Sequence, residues 1–279
     1  MKLRSLLFVP GDRPERMEKA LGLGADALIL DLEDAVAPQN KQVARHEVAQ
    51  FLGTHSGARI FVRVNPLDSP ENEKDLNAVL PSHPDGIVLP KAEGGASVAE
   101  LAKRLTERGN ATAQILAIAT ETPAAMFQLG TYGGVKRLLG LTWGAEDLPA
   151  AIGATTSREP DGSYTSPYEV ARAMTLFAAH AAGAAAIDTV FPAIKDETGL
   201  AAYATRARRD GFTGMMAIHP SQVAPINAAF TPSTDEAARA QAIVDAFAAN
   251  PGAGVLQVDG KMVDAPHLKQ ARHILSLAD

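Results

Sequence analysis

The chain has 279 residues, is 46% hydrophobic and carries a formal charge of −6, with no cysteine. An acidic balance with scattered basic residues lacks the electrostatic footprint of a nucleic-acid binder, and without cysteine neither disulfides nor thiolate metal sites can form. The length suits an α/β barrel and can bury a large core.

From the N-terminus, MKLRSLLFVPGDRP places basic residues before a short apolar run, but Pro10, Gly11 and Asp12 stop it well short of a signal peptide's apolar core. No later stretch approaches the ~20 apolar residues of a membrane helix. A soluble, cytoplasmic protein is expected, with no membrane partner.

Eight apolar, β-rich runs follow in order: SLLFVP, ALILDLED, RIFVRVN, GIVLPK, QILAIATE, RLLGLTWG, AAIDTVFP and GMMAIHP. Segments of helical spacing separate most of them, such as RPERMEKALGLG, SVAELAKRLTERG and SPYEVARAMTLFAAHAAG. Seven of the runs are continuously apolar, as strands covered on both faces should be. Eight βα units close into a (β/α)8 TIM barrel over residues 1–220, with the chemistry at the C-terminal strand ends; a doubly wound sheet is the alternative. The polar stretch ATTSREPDGSYTSP, in the long interval between Asp147 and Phe191, is a candidate substrate loop or a tolerated insertion. Residues 221–279 form a C-terminal helical extension, a lid or an assembly arm. Its helices span SQVAPINAAF, Thr234 to Asn250 and Ala265 to Ala278, and Asp259-Gly260 turns a short hairpin.

The stretch Gln114 to Leu148 concentrates the chemistry. Its two strands end at Glu121 and just before Asp147, and PAAMFQLGTYGG between them reads as one short helix from Pro123 to Gly130. Two carboxylates facing one barrel mouth either repel or share a cation, and oxygen ligation suits Mg2+. The alternative is that both cap helices. Other strand ends add Asp31, Glu33, Asp34, Asn65, Lys91 and His219.

Arg63, in an otherwise apolar strand, needs an anionic partner, either a substrate oxygen held bidentately or Glu33 in a structural ion pair. Lys91 raises a rival Schiff-base mechanism. His219, before Pro220, is a general base or a turn residue with a satisfied ring. GLGADA precedes a strand instead of following one, so it does not read as a dinucleotide motif.

The segments RSLLFVPGDRPERMEKAL, ADALILDLEDAVAPQNKQVAR, FVRVNPLDSP, GIVLPKAE, ATETPAAMF, LTWGAEDLPAAIG, MMAIHPSQV and DGKMVDAPHLKQA together resemble the citrate lyase β-subunit (CitE-like) branch of the HpcH/HpaI aldolase/citrate lyase superfamily. The resemblance implies a homotrimeric TIM barrel that cleaves or forms a C–C bond beside a coenzyme A or carrier-protein thioester, with a 2-oxoacid and Mg2+. It makes Glu121 and Asp147 the metal ligands, Arg63 the residue that grips the substrate's keto/carboxylate end, and Asp264, reaching in from a neighbouring subunit, the acid/base; Glu33, a polar strand end beside Arg63, is expected as a further catalytic residue. Arg63, Glu121, Lys19, His219 and Pro220 then bind substrate, Lys19 near the coenzyme A phosphates and His219-Pro220 beside the pantetheine. Glu15 and Asn40 depart from the lysines of some relatives. The implied activity is 3-hydroxyacyl-thioester lysis of the citryl-, malyl- or citramalyl-CoA type. Malate synthase or thioesterase chemistry, or a β-subunit role in a larger citrate lyase, are the alternatives.

Overall fold

The computed structural model describes residues 2–55 and 57–278. Eight parallel strands close in sequence order into one barrel: β1 (Ser5–Pro10), β2 (Ala27–Asp31), β3 (Ile60–Arg63), β4 (Gly86–Leu89), β5 (Gln114–Ile118), β6 (Leu138–Thr142), β7 (Ala185–Asp188) and β8 (Gly214–Ala217). β1 pairs with both β2 and β8, so no edge is left open. Closure excludes the doubly wound alternative, whose sheet has two free edges.

The helices between the strands are α1 (Pro14–Leu21), α2 (Lys41–Thr54), α3 (Pro70–Val79), α4 (Gly95–Glu107), α5 (Pro123–Met126), α6 (Asp147–Ile152), α7 (Ser166–Ala182) and α8 (Glu197–Asp210). They cover the outward side chains, so β2, β4 and β8 are buried along their whole length. Alternate residues point inward. Ala27 and Ile29 of β2, Phe61 of β3, Val88, Leu116, Ile118, Ile187 and Met216 fill the barrel's interior. Continuing that period by one step brings Asp31 and Arg63 inward at the mouth.

One element departs from its sequence pattern. The segment after Glu121 is not a single helix to Gly130: α5 is one turn, capped by the Thr122 hydroxyl, which accepts from the Ala125 N–H. A 3-10 turn over Leu129–Tyr132 follows, and it buries Leu129 and Tyr132. Burying those two side chains outweighs the continuation of a helix through the Gly-rich end of the segment.

The chain divides into two compact units, Leu3–Asn227 and a second that takes it up from Ala228. After α9 (Val223–Phe230), the second unit contains α10 (Thr234–Ala249), the hairpin β9 (Val255–Val258) and β10 (Lys261–Asp264), and α11 (Ala265–Ala278). Ser233 and Glu236 close a capping box on α10. The hairpin turns at Asp259 and Gly260, with φ of 48° and 75°, the two left-handed positions of a type I′ turn. Among the described residues, no helix is long and apolar enough to cross a membrane.

Candidate active site

At the C-terminal end of the barrel lies a cavity of about 300 Å³ whose lining includes Phe8, Asp31, Arg63, Glu121, Trp143 and Asp147. Its walls come from the C-terminal ends of β1, β2, β3, β5, β6, β7 and β8 and the segments that leave them, so residues far apart in sequence meet because parallel strands end at one rim. Glu121 lies three residues past β5, and Asp147 opens α6. Asp147 stands both in the first turn of α6, where Glu146 is the N-cap, and at the mouth.

Arg63 is paired before any substrate arrives. Asp31 and Arg63 are register partners on β2 and β3, and Asp31 accepts from Arg63 Nε at 2.7 Å and Nη2 at 2.6 Å. The same carboxylate accepts from the Glu33 and Ala35 N–H groups. Glu33 is therefore the second partner of Arg63, not the first: its Oε2 lies 3.0 Å from Nη1 but outside hydrogen-bond alignment, and that oxygen has no donor. Burial works against the guanidinium's charge, but Asp31, Glu33 and Asp34 together outweigh it and raise the arginine pKa. The Phe8 ring lies 4.8 Å from the guanidinium carbon.

Lys91 is the second hub. Its backbone takes a left-handed φ of 51°, and its N–H donates to Glu121 Oε2 at 2.5 Å. Its ammonium donates to Glu33 Oε1 at 3.2 Å and to Asp147 Oδ1 at 3.1 Å. Burial disfavours this charge, yet Glu33, Glu121 and Asp147 more than compensate and raise the pKa. A Schiff-base lysine needs a depressed pKa. Lys91 is instead held as an ammonium paired with Glu33 and Asp147, an arrangement that does not favour the Schiff-base mechanism.

The surplus of carboxylates leaves its mark on the acids. Burial pushes Glu121 up to about 8, the Lys91 N–H opposing and the charges of Asp147 and Glu33 adding to the rise. Burial likewise pushes Glu33 up to about 7 against Arg63. Among the described residues, no group of three His, Cys, Asp or Glu side chains is gathered closely enough to hold a metal ion on its own. An oxygen-only pair of carboxylates at a cavity wall suits Mg2+ better than Zn2+, whose sites usually include His or Cys.

Lys19, His219 and Pro220 are brought together elsewhere. They line a second cavity of about 340 Å³ that shares Phe8, Pro10 and Ile218 with the first. The His219 ring is held by Ser221, whose hydroxyl lies 2.8 Å from Nδ1, in the turn that starts the segment Pro220–Gln222. Asp264 belongs to the second unit, as the last residue of β10 just before α11, where its Oδ1 lies 2.5 Å from His267 Nδ1. The bond to His267 holds the Asp264 carboxyl below its ordinary value.

Two participants were not singled out by the sequence pattern. Asp31 stood only among the polar strand ends, although equal positions on adjacent parallel strands would have matched it to Arg63. The second is Trp143, which donates its indole N–H to buried Asp188 at 2.6 Å; only the apolar character of its run was legible.

The model of the HpcH/HpaI aldolase/citrate lyase family matches residues 4–220. The chain belongs to the HpcH/HpaI aldolase/citrate lyase family. It is 33% identical over 286 residues to the citrate lyase subunit beta of Leuconostoc mesenteroides subsp. cremoris, covering 99% of this chain and 93% of that protein. It is 35% identical over 280 residues to a (3S)-malyl-CoA thioesterase of Cereibacter sphaeroides, covering 99% and 94%. The crystal structure of CitE from Mycobacterium tuberculosis in complex with magnesium, acetoacetate and coenzyme A superposes with a TM-score of 0.85 at 34% identity, covering 99% of this chain and 97% of that one. The family's members thus include both a lyase subunit and a thioesterase, over nearly the whole length of this chain.

Proposed function

We infer that the protein is a Mg2+-dependent C–C lyase that splits a 3-hydroxyacyl thioester of the citryl-, malyl- or citramalyl-CoA type into acetyl-CoA and a 2-oxoacid. The observation that carries the reading is the convergence of Arg63, Glu121 and Asp147 on one cavity at the barrel mouth. Glu121 and Asp147 would hold the cation. Bound there, Mg2+ supplies Lewis-acid stabilisation of negative charge on the substrate's oxygens.

The chain's own groups do the rest. Arg63, its plane fixed by Asp31, grips the carboxylate of the oxoacid half through the face that Asp31 leaves open. Glu33, placed between Arg63 and the Lys91 ammonium, would accept the hydroxyl proton. The C–C bond then breaks, its electron pair moving into the thioester as an enolate while the carbinol carbon becomes the 2-oxo carbonyl. Asp264 of a neighbouring subunit returns a proton to the enolate carbon, giving acetyl-CoA. The second cavity takes the thioester arm, with Lys19 toward the phosphates and His219-Pro220 along the pantetheine.

A homotrimer would supply that neighbouring Asp264, and α7 offers an apolar stripe for such assembly, Val170, Met174 and Phe177 being exposed at i, i+4 and i+7. Release of free CoA by hydrolysis is the second reading, favoured by the 35% identity to a malyl-CoA thioesterase. The β-subunit role in a larger citrate lyase is favoured by the relative from Leuconostoc.

The test is a panel of citryl-, malyl- and citramalyl-CoA assayed with and without MgCl2. Mg2+-dependent acetyl-CoA with a stoichiometric 2-oxoacid supports the lyase, free CoA supports the hydrolase, and turnover of all three substrates that survives EDTA refutes the metal reading.

A further inference from the structure

The segment Trp143–Asp147 carries one of the two carboxylates assigned to the cation, and two side-chain anchors hold it. On one side the Gly144 N–H donates to the Thr120 hydroxyl at 3.2 Å, beside Glu121. Gly144 lies so close to Glu121 that a Cβ there would meet Glu121 Cγ at 2.3 Å, so the segment and the glutamate are packed as one piece. On the other side Trp143, 1% exposed, lines the cavity and sends its indole N–H to Asp188 Oδ1 at 2.6 Å.

Asp188 is built to stay still. It ends β7, is fully buried, and accepts from Thr189 N–H at 2.9 Å and Tyr203 hydroxyl at 3.1 Å on Oδ1, and from Arg172 Nε at 2.9 Å on Oδ2. Arg172 is itself tied to Asp210 at 2.8 Å. A buried carboxylate that accepts this many hydrogen bonds, one of them from a guanidinium, holds its partners in one geometry. Tyr164 packs edge-on against the indole with ring centroids 4.9 Å apart, closing the other flank of Trp143.

We propose that Asp188 is a positioning residue which, through the indole of Trp143, sets where Asp147 stands relative to Glu121 and so tunes the cation site from outside it. The chain of contact runs from the β7 carboxylate to the indole, along four residues of backbone, to the Asp147 side chain. Asp188 touches neither substrate nor cation. The proposal rests on the assignment of Glu121 and Asp147 as the cation's carboxylates.

The test is Mg2+ affinity, measured by isothermal titration calorimetry on the full chain, for wild type, Trp143→Phe and Tyr203→Phe, with thermal melts alongside. Trp143→Phe keeps an aromatic wall but removes the N–H that reaches Asp188 together with one ring of the indole, so the thermal melts are read for the packing lost against Tyr164. Tyr203→Phe removes a different donor from the same oxygen and leaves the indole bond in place. Mg2+ binding about tenfold weaker in Trp143→Phe, the size of effect that outer partners of a metal site have, and less than twofold weaker in Tyr203→Phe, supports the proposal. Equal Mg2+ affinity in wild type and Trp143→Phe overturns it while leaving the lyase reading intact. So does equal weakening in both variants, because a merely structural hub would lose stability alike from either side. No Mg2+ binding by folded wild type overturns both the proposal and the cation assignment beneath it.

Discussion

Asp31 and Arg63 face each other in register across β2 and β3 and close a two-bond ion pair of 2.7 and 2.6 Å at the barrel mouth. Both side chains are nearly withdrawn from water. Breaking such a pair from one side leaves an uncompensated charge. Asp31→Asn is expected to cost about 3 kcal/mol of stability and to reduce kcat/KM for the preferred thioester by more than kcat, because the arginine loses its fixed plane. Urea melts and steady-state kinetics check the two halves.

Glu121→Gln and Asp147→Asn each remove one anionic ligand without changing side-chain volume much. Each is expected to lower kcat about a thousandfold, or roughly 4 kcal/mol of barrier, and to weaken Mg2+ binding measured calorimetrically. EDTA treatment of the wild type should reach a comparable loss and be reversed by added Mg2+. Activity that persists in both variants would separate the carboxylates from the chemistry.

Outside the site, Glu71 gives a pH signature of stability. Its hydrogen bonds from Lys74 and Arg45 hold its carboxyl down to about 2, from 4.5. A carboxyl depressed on folding contributes stability that is present above its unfolded value and is lost as pH falls through the folded one. The urea midpoint difference between wild type and Glu71→Gln should therefore be largest above about pH 4.5 and vanish toward pH 2. A difference that stays constant from pH 7 to pH 2 would contradict the pairing.

The exposed stripe on α7 predicts assembly. Phe177, 66% exposed, stands with Val170 and Met174 on one face of the helix. Phe177→Asp should shift sedimentation velocity from an oligomer to a monomer and abolish turnover if Asp264 acts from a neighbour. A monomeric wild type would remove the shared-site mechanism.

How much of this was legible in the chain depends on the range of the forces involved. Strand runs such as ALILD and GIVL, the helix that begins at Ser166 and the turn at Asp259-Gly260 rest on periodicity and backbone preference, which act over a few residues. The same local rules put Glu121 and Asp147 at strand ends. They erred where burial of Leu129 and Tyr132 overrode helix continuation.

The sequence by itself determined the eightfold βα alternation and the polar residues available at the rim, because both are written in local spacing, and its motif segments carried the resemblance to the family. Only the tertiary structure decided that Arg63 pairs first with Asp31, that Lys91 is an ammonium shared by Glu33 and Asp147, and that Trp143 reaches Asp188 across 45 residues. Those choices depend on barrel register and closure, which bring strand ends to one rim and remove them from water together. No short stretch of chain contains that information.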